Sequence, residues 1–333
     1  MKKIIRFLVC SIIVHSGLLR LLLRNERRGI LRVLVYHQVN RVGRSISPRV
    51  SPERFARHMR LLKQNYRIVR LDKALPLLTQ EDLPVRALAV TFDDGHADIA
   101  REALPVMERE GIFATVFVSA GLVEKRENSW TDIINHTAQR SGAREIEVMI
   151  EGRTRRYDIQ TFVKKRKFCE EIERLMTVCP TAGRERMTAE IISRLGSVTI
   201  PPILLSWEDV RELDRRGWEI GSHTLSHTVL TGCSPDELQE EIVGSKELLE
   251  ERLAVKISGF SYPSAAVDRT VRDAVERAKY SYAADVGGGI NTKETDHFMV
   301  KRIHVENDPP EVFACRVHGI LLRLEAIWRR RKK

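Results

Sequence analysis

The stretch Ala89-Val-Thr-Phe-Asp-Asp-Gly95 constrains what this chain can fold into more than any other. Leu88 to Phe92, interrupted only by Thr91, reads as a strand buried on both faces, the pattern of a parallel sheet. It ends in two adjacent carboxylates and a glycine, and in α/β folds ligands bind beyond the carboxyl ends of such strands. Neighbouring strand residues point to opposite sides, so Asp93 and Asp94 are expected to divide the work, one holding a metal and the other handling a proton. The competing reading makes one a helix cap and the other a solvated loop charge. Gly95 lets the backbone turn sharply or approach a ligand closely.

Strand and helix alternate around this stretch. Leu31 to His37 reads as a first strand, Pro52 to Leu62 as a helix, Tyr66 to Leu71 as a strand, and Ile99 to Glu110 as a helix ended by Gly111. Pro105 either kinks that helix or opens it. Phe113 to Ser119 is a further strand, rich in β-branched and aromatic residues. The alternation predicts an α/β chain with a parallel sheet or barrel. From about residue 124 to 200 the pattern changes to charged helices, Tyr157 to Val178 and Arg184 to Leu195, with a short strand at Glu145 to Ile150. This is an insertion, either a solvated excursion or a rim element with Trp130 and Asp132 turned to the cleft. Ser206 then caps a helix, with Asp209 at the capping-box position. The helix stops at Gly217, and the strand Trp218 to Ser222 delivers His223-Thr-Leu-Ser-His227.

Two histidines four apart suit one metal ion, although such pairs also occur by chance on amphipathic segments. Here they sit at the carboxyl end of an apolar strand, as the aspartates do. His223, His227 and Asp94 would leave coordination positions open for water and substrate, and Asp93 would be free to take a proton. His37 ends the first strand on the same side. Local sequence reads it as a packed histidine bonded to a carbonyl, and its position makes it a candidate for the cleft wall.

Thr91-Phe-Asp-Asp-Gly95 followed by His223-Thr-Leu-Ser-His227 resembles the polysaccharide deacetylase family, the NodB-homology group. Leu34-Val-Tyr-His37, Trp218 to Ser222 and Phe260-Ser-Tyr-Pro-Ser264 support the resemblance, which spans Leu31 to about Val305 apart from the insertion. It implies a distorted parallel β/α barrel over residues 31–310, with a mainly helical insertion at about 124–200. It also implies metal-dependent hydrolysis of an N-acetyl group on an amino sugar of a polysaccharide or glycolipid precursor, releasing acetate. Asp93 would be the general base. Asp94, His223 and His227 would hold the divalent metal; zinc suits these donors, with Co2+ and Ni2+ left open. The family's third motif usually runs arginine, proline, tyrosine, glycine. This chain keeps Pro263 but has Ser261 at the arginine place and Ser264 at the tyrosine place. Arg302 is the expected substitute for orienting Asp93, and the Ser264 N–H is expected to serve the oxyanion. His37, Tyr262, Pro263 and Ser264 are expected to line the substrate site. His304 is the expected general acid, with His37 as its rival. Hydrolysis of another acyl or amide group, or a non-catalytic carbohydrate-binding protein on the same fold, are the alternatives.

The net charge is +11. Residues 1–32 carry eight Lys/Arg against one Glu and residues 316–333 seven against one Glu, so the body between them is slightly acidic. A nucleic-acid partner is not expected, because that charge would be spread over a binding face. Basic ends beside apolar residues fit an anionic membrane surface. Residues 1–30 are expected to associate with the membrane, as a surface-lying helix or a tilted anchor, since the apolar run is short of the roughly 20 residues a span needs. Residues 311–333 are expected to form a basic helix ending in Arg329 to Lys333, as a second contact or as charge that suits the helix dipole. The expected location is the cytoplasmic face of the inner membrane, with export left open. The five cysteines are widely spaced and odd in number, which argues against a disulfide framework.

Overall fold

A computed structural model describes residues 3–41, 46–150, 152–196, 198–285 and 287–324. The predicted alternation yields a parallel sheet of eight strands among the described residues, seven of them in a continuous path: β1 Leu31–Tyr36, β2 Ala87–Phe92, β3 Thr115–Val118, β4 Glu219–Ser222, β5 Gly259–Ser261, β6 Tyr282–Ala284 and β7 Ile303–His304, with the short strand Arg67–Ile68 pairing β2. The seven are ordered β6-β5-β4-β3-β2-β1-β7. Val300 bridges Ala284 of β6, while Ile303 and His304 pair with Leu34 and Val35 of β1. The segment 300–304 thereby connects the two ends of the sheet, giving a distorted β/α barrel.

Period-two alternation explains why β1 and β2 are buried throughout. One side of each strand faces the surrounding helices. The other faces the barrel interior, where Leu31, Val33, Ala87, Ala89, Phe117 and Tyr282 pack together. The carboxyl ends gather His37, Asp93, His223, Tyr262 and His304 at one rim, and the opposite end is plugged by the helix Leu71–Thr79. There Glu219 is buried and accepts hydrogen bonds from Thr115 Oγ1 at 2.6 Å and Tyr282 OH at 2.8 Å. Burial pushes its carboxyl up to about 7. A Cβ on Gly221 would lie 2.5 Å from the Phe117 ring, so only glycine lets that ring lie flat beneath the rim.

Several elements depart from expectation. Of Tyr66 to Leu71 only Arg67–Ile68 is strand, and Leu71 opens the plug helix, whose internal Pro76 masks its helical pattern. Ile99–Ala103 is a widened π-turn leading into the helix Leu104–Glu110, with Pro105 in its first turn, where a missing N–H costs nothing. In the insertion, Tyr157 and Asp158 do not open the helix but end a strand, Arg153–Asp158, paired antiparallel with Glu145–Ile150. Its polar side chains are exposed at an edge, so no apolar alternation announces it. The helix that follows is Phe162–Met176, and Thr181–Leu195 comes next. The insertion has its own core, built on Ile134, Val148, Phe168, Ile172 and Ile191.

At the amino end, α1 (Lys3–His15) and α2 (Leu18–Arg24) bend by 62°. Among the described residues no single helix is long and apolar enough to cross a membrane. Cys10 is buried with Val312, Cys315 and Leu321, and Leu19 and Leu23 enter the main core. The helix expected from Glu311 to Trp328 instead runs Pro310–Val317, turns at Gly319 with φ +81°, and resumes at Ile320. The run Arg329 to Lys333 lies outside the described residues.

Candidate active site

Asp93 continues the inward register of Ala87, Ala89 and Thr91, so its carboxylate enters the barrel. Asp94 leaves the strand with φ +68°, as does Gly95, which turns its side chain toward the rim. A non-glycine residue in this region costs of order 1 kcal/mol or more and is held there by its surroundings. His227, Ser264 and Ala265 also have positive φ and border the same cavity as Asp94. That cavity is about 280 Å3 and is bordered by His37, Asp93, Asp94, His223, His227 and His304, with Tyr262 and Ser264 on one side.

Two chemical clusters share it. In the first, His223 Nε2 and His227 Nε2 lie 3.3 Å and 3.2 Å from Asp94 Oδ1. The His223 Nδ1–H donates to the Ser261 carbonyl at 2.8 Å, which leaves the Nε2 lone pair turned toward Asp94. One ligand atom from each of the three residues lies within 4.8 Å of the others. Converging lone pairs and a carboxylate repel one another unless a cation sits among them, so this donor set fits a divalent metal. Burial pushes the Asp94 carboxyl up, but the two imidazoles of His223 and His227 against it outweigh burial and hold the group well below the usual carboxylate range.

In the second, Arg302 Nη1 and Nη2 donate to Asp93 Oδ1 and Oδ2 at 2.6 Å and 2.7 Å. Ser261 Oγ donates to Asp93 Oδ2 at 3.3 Å and accepts from Arg302 at 2.8 Å. Thr91 Oγ1 and the Asp285 carbonyl take further Arg302 donors, and the guanidinium carbon lies 5.5 Å from the centre of the Phe117 ring. Arg302 is wholly buried behind Asp93 and does not border the cavity, so it acts as a positioning residue. Burial alone would raise the Asp93 carboxyl, but the Arg302 charge prevails and keeps it below its ordinary value.

The remaining expected residues divide. The His37 and His304 rings border the cavity with centroids 5.3 Å apart. Burial lowers both, His304 to about 4, so both are neutral at pH 7. Tyr262 faces the cavity but donates its hydroxyl to the Phe298 carbonyl at 3.0 Å. Ser264 Oγ is buried without a hydrogen-bond partner among the described residues. Pro263 does not border the cavity; it is buried at the start of the turn that presents Ser264.

Sequence reasoning missed His96 and Glu173. His96 Nε2 lies 3.2 Å from Asp132 Oδ1, and its Nδ1 is 3.8 Å from Asp94 Oδ2. Burial would lower His96, but the Asp132 charge overrides it and raises the imidazole to about 9. The only local signal was its place directly after Asp-Asp-Gly. Asp132, one of the two residues read as cleft-facing, does reach the cavity, positioned by the Ser129 cap, whose Oγ donates to it at 2.7 Å. Trp130 Nε1 donates to the His227 carbonyl at 3.2 Å, tying the insertion to the second histidine.

Comparison with known proteins follows the same lines. A family model described as polysaccharide deacetylase matches residues 80–283. YxkH of Bacillus subtilis, a protein named for the same family, is 21% identical over 285 residues, covering 85% of this chain and 74% of YxkH. Among solved structures, the Streptococcus pyogenes deacetylase PplD in complex with acetate superposes with a TM-score of 0.61 at 18% identity, covering 87% of this chain and 99% of PplD. IcaB from Ammonifex degensii gives 0.58 at 21% identity, covering 88% and 98%. At these identities the structural likeness establishes the fold.

Proposed function

This chain belongs to the polysaccharide deacetylase family, and from that premise we propose that it hydrolyses the N-acetyl amide of an amino sugar in a polysaccharide or lipid-linked saccharide, with a divalent metal, zinc in the first instance, held by Asp94, His223 and His227. The observation that carries the reading is the pairing of a metal-type donor set with a separate carboxylate, Asp93, kept ionised by Arg302. A divalent ion held by the three residues supplies Lewis acidity, polarising the acetyl carbonyl and making a neighbouring water acidic near neutral pH.

Asp93 accepts the water proton, since a carboxylate held below its usual range is ionised at neutral pH and its place in the cavity wall puts it beside the substrate. The hydroxide so formed adds to the acetyl carbon, and the Ser264 N–H, at the rim turn, serves the developing oxyanion. Collapse breaks the C–N bond. The amine takes the proton that Asp93 collected, passed through His304 or its neighbour His37; as neutral imidazoles both can accept and return a proton. Acetate and a free amino sugar leave.

The protein works at an anionic membrane surface. The support is the apolar outer face of α1 and α2, with Ile4, Leu8 and Ile12 of α1 and Leu18 and Leu21 of α2 exposed, and the basic residues Arg20, Arg24, Arg27 and Arg28 in and after α2. The test is acetate release from N-acetylglucosamine oligomers and glycolipids by metal-loaded wild type, chelated wild type and Asp93→Asn. The expected result is release that needs both metal and Asp93. Release indifferent to both would overturn the mechanism, and no release from any glycan would favour a non-catalytic binding protein.

A further inference from the structure

Two hollows meet at His304. The catalytic cavity opens past Ser47, Pro48 and His304 into a groove of about 900 Å3. Its charges are not balanced. Arg6 pairs with Asp308 at 3.1 Å, and Arg166 with Glu170 at 3.2 Å. Arg316 holds Glu306 at 3.0 Å and Asp308 at 2.6 Å. Arg49 and Arg54 have only neutral hydrogen-bond acceptors among the described residues: Asn40 Oδ1 at 2.9 Å for Arg49, and the Asn307 backbone carbonyl oxygen for Arg54. A half-buried guanidinium bonded to neutral acceptors keeps its charge, and its fork of N–H donors matches a phosphate.

Arg6 and Phe7 of α1 also line the groove. Phe7 is 39% exposed, and Ile4 and Leu8 beside it are 74% and 54% exposed. The groove thus joins the catalytic cavity, at Ser47, Pro48 and His304, to a lining that carries Arg54, without a carboxylate partner among the described residues, Arg49, which reaches the Asp98 carboxylate only through Asn40, and Phe7 of the apolar outer face of α1. Each of these three zones has its own chemistry, and one class of molecule carries all three.

We propose that this groove is the phosphate subsite for a lipid-linked amino sugar, whose sugar enters the catalytic cavity, whose phosphate lies against Arg49 and Arg54, and whose lipid leaves across Phe7 onto the bilayer carrying α1 and α2. The proposal rests on the deacetylase reading and narrows its substrate. A neutral polymer would give Arg49 and Arg54 nothing to bind. A nucleotide sugar would bring its phosphates to them but would set a polar nucleoside against Phe7 and the apolar helix face.

The experiment measures kcat and KM for acetate release from three probes: N-acetylglucosamine linked to farnesyl phosphate, UDP-N-acetylglucosamine and a neutral N-acetylglucosamine tetramer. The proteins are metal-loaded wild type and the Arg49→Gln/Arg54→Gln double variant, with thermal melts to verify folding. For wild type the lipid phosphate is expected to have the lowest KM. The double variant should raise that KM by about tenfold or more, the loss of charge-assisted hydrogen bonds, with kcat unchanged and the tetramer affected less than about twofold. Calorimetry with farnesyl phosphate on Asp93→Asn should show binding that the added double substitution removes. A KM rise equal for all three probes, or preference for the nucleotide sugar, overturns the proposal. Wild type that deacetylates the tetramer but not the lipid phosphate also overturns it while leaving the deacetylase reading standing. No acetate from any probe overturns both.

Discussion

Replacing Arg302 by methionine tests how Asp93 is kept ready to act. The substitution keeps much of the side-chain volume and removes the guanidinium that fills both Asp93 oxygens. Breaking one partner of a buried pair costs about 3–5 kcal/mol, because the other charge is left in a low dielectric. The carboxyl relieves that cost by keeping its proton. At about 1.36 kcal/mol per pKa unit, the same energy raises Asp93 by roughly 2–4 units from below its usual value. The acid limb of kcat/KM against pH should therefore move up by about 2–4 units. Activity near pH 6 should fall, by no more than about 60-fold at the upper end of that range, and recover as the pH rises. The assay is the pH profile of acetate release, with melting temperatures recorded alongside. Arg302→Met/Ser261→Arg should bring the limb back down. Ser261 Oγ lies 3.3 Å from Asp93 Oδ2 and 2.8 Å from Arg302 Nη2, so an arginine at 261 enters the space the other vacates. A folded Arg302→Met protein with an unmoved acid limb, or one equally impaired at every pH and not rescued, would refute the positioning role.

Glu219 is raised to about 7 by burial, so in the folded state it holds a proton that the unfolded chain releases at its ordinary, lower value. Stability should therefore fall as pH rises from about 4.5 to about 7, by on the order of 3 kcal/mol; Glu219→Gln should flatten that slope in thermal melts. His96 is raised to about 9, so its contribution to stability is full below about 6.5 and is lost as pH rises through about 9. In metal-free Asp132→Asn the largest charge that raises it is gone, and NMR titration should find His96 well below about 9, with burial opposing what Asp94 and Asp98 still add. A His96 still titrating near 9 would show that Asp132 is not the cause.

The polar residues of the candidate site that adjoin a strand end were legible because local periodicity encodes them. A buried strand is apolar, so Asp93 and Asp94 stand out against Leu88 to Phe92, and His223 and His227 stand out after Trp218 to Ser222. Alternation of strands and helices likewise carried the barrel. The plug helix Leu71–Thr79 and the strand Arg153–Asp158 were hidden, the first by Pro76 and the second by a polar edge with no alternation to read.

Partnerships across the barrel were of another kind. Arg302 was legible as a candidate only through its neighbourhood in the chain, while its bidentate grip on Asp93 depends on segment 300–304 closing the ring against β1 and β6. The His96–Asp132 pair depends on an insertion folding around its own core and returning one carboxylate to the rim. A sequence by itself determines which residues face inward, because backbone geometry repeats every two or 3.6 residues. Which buried charge neutralises which is decided by strand register and ring closure, and those exist only in the tertiary structure.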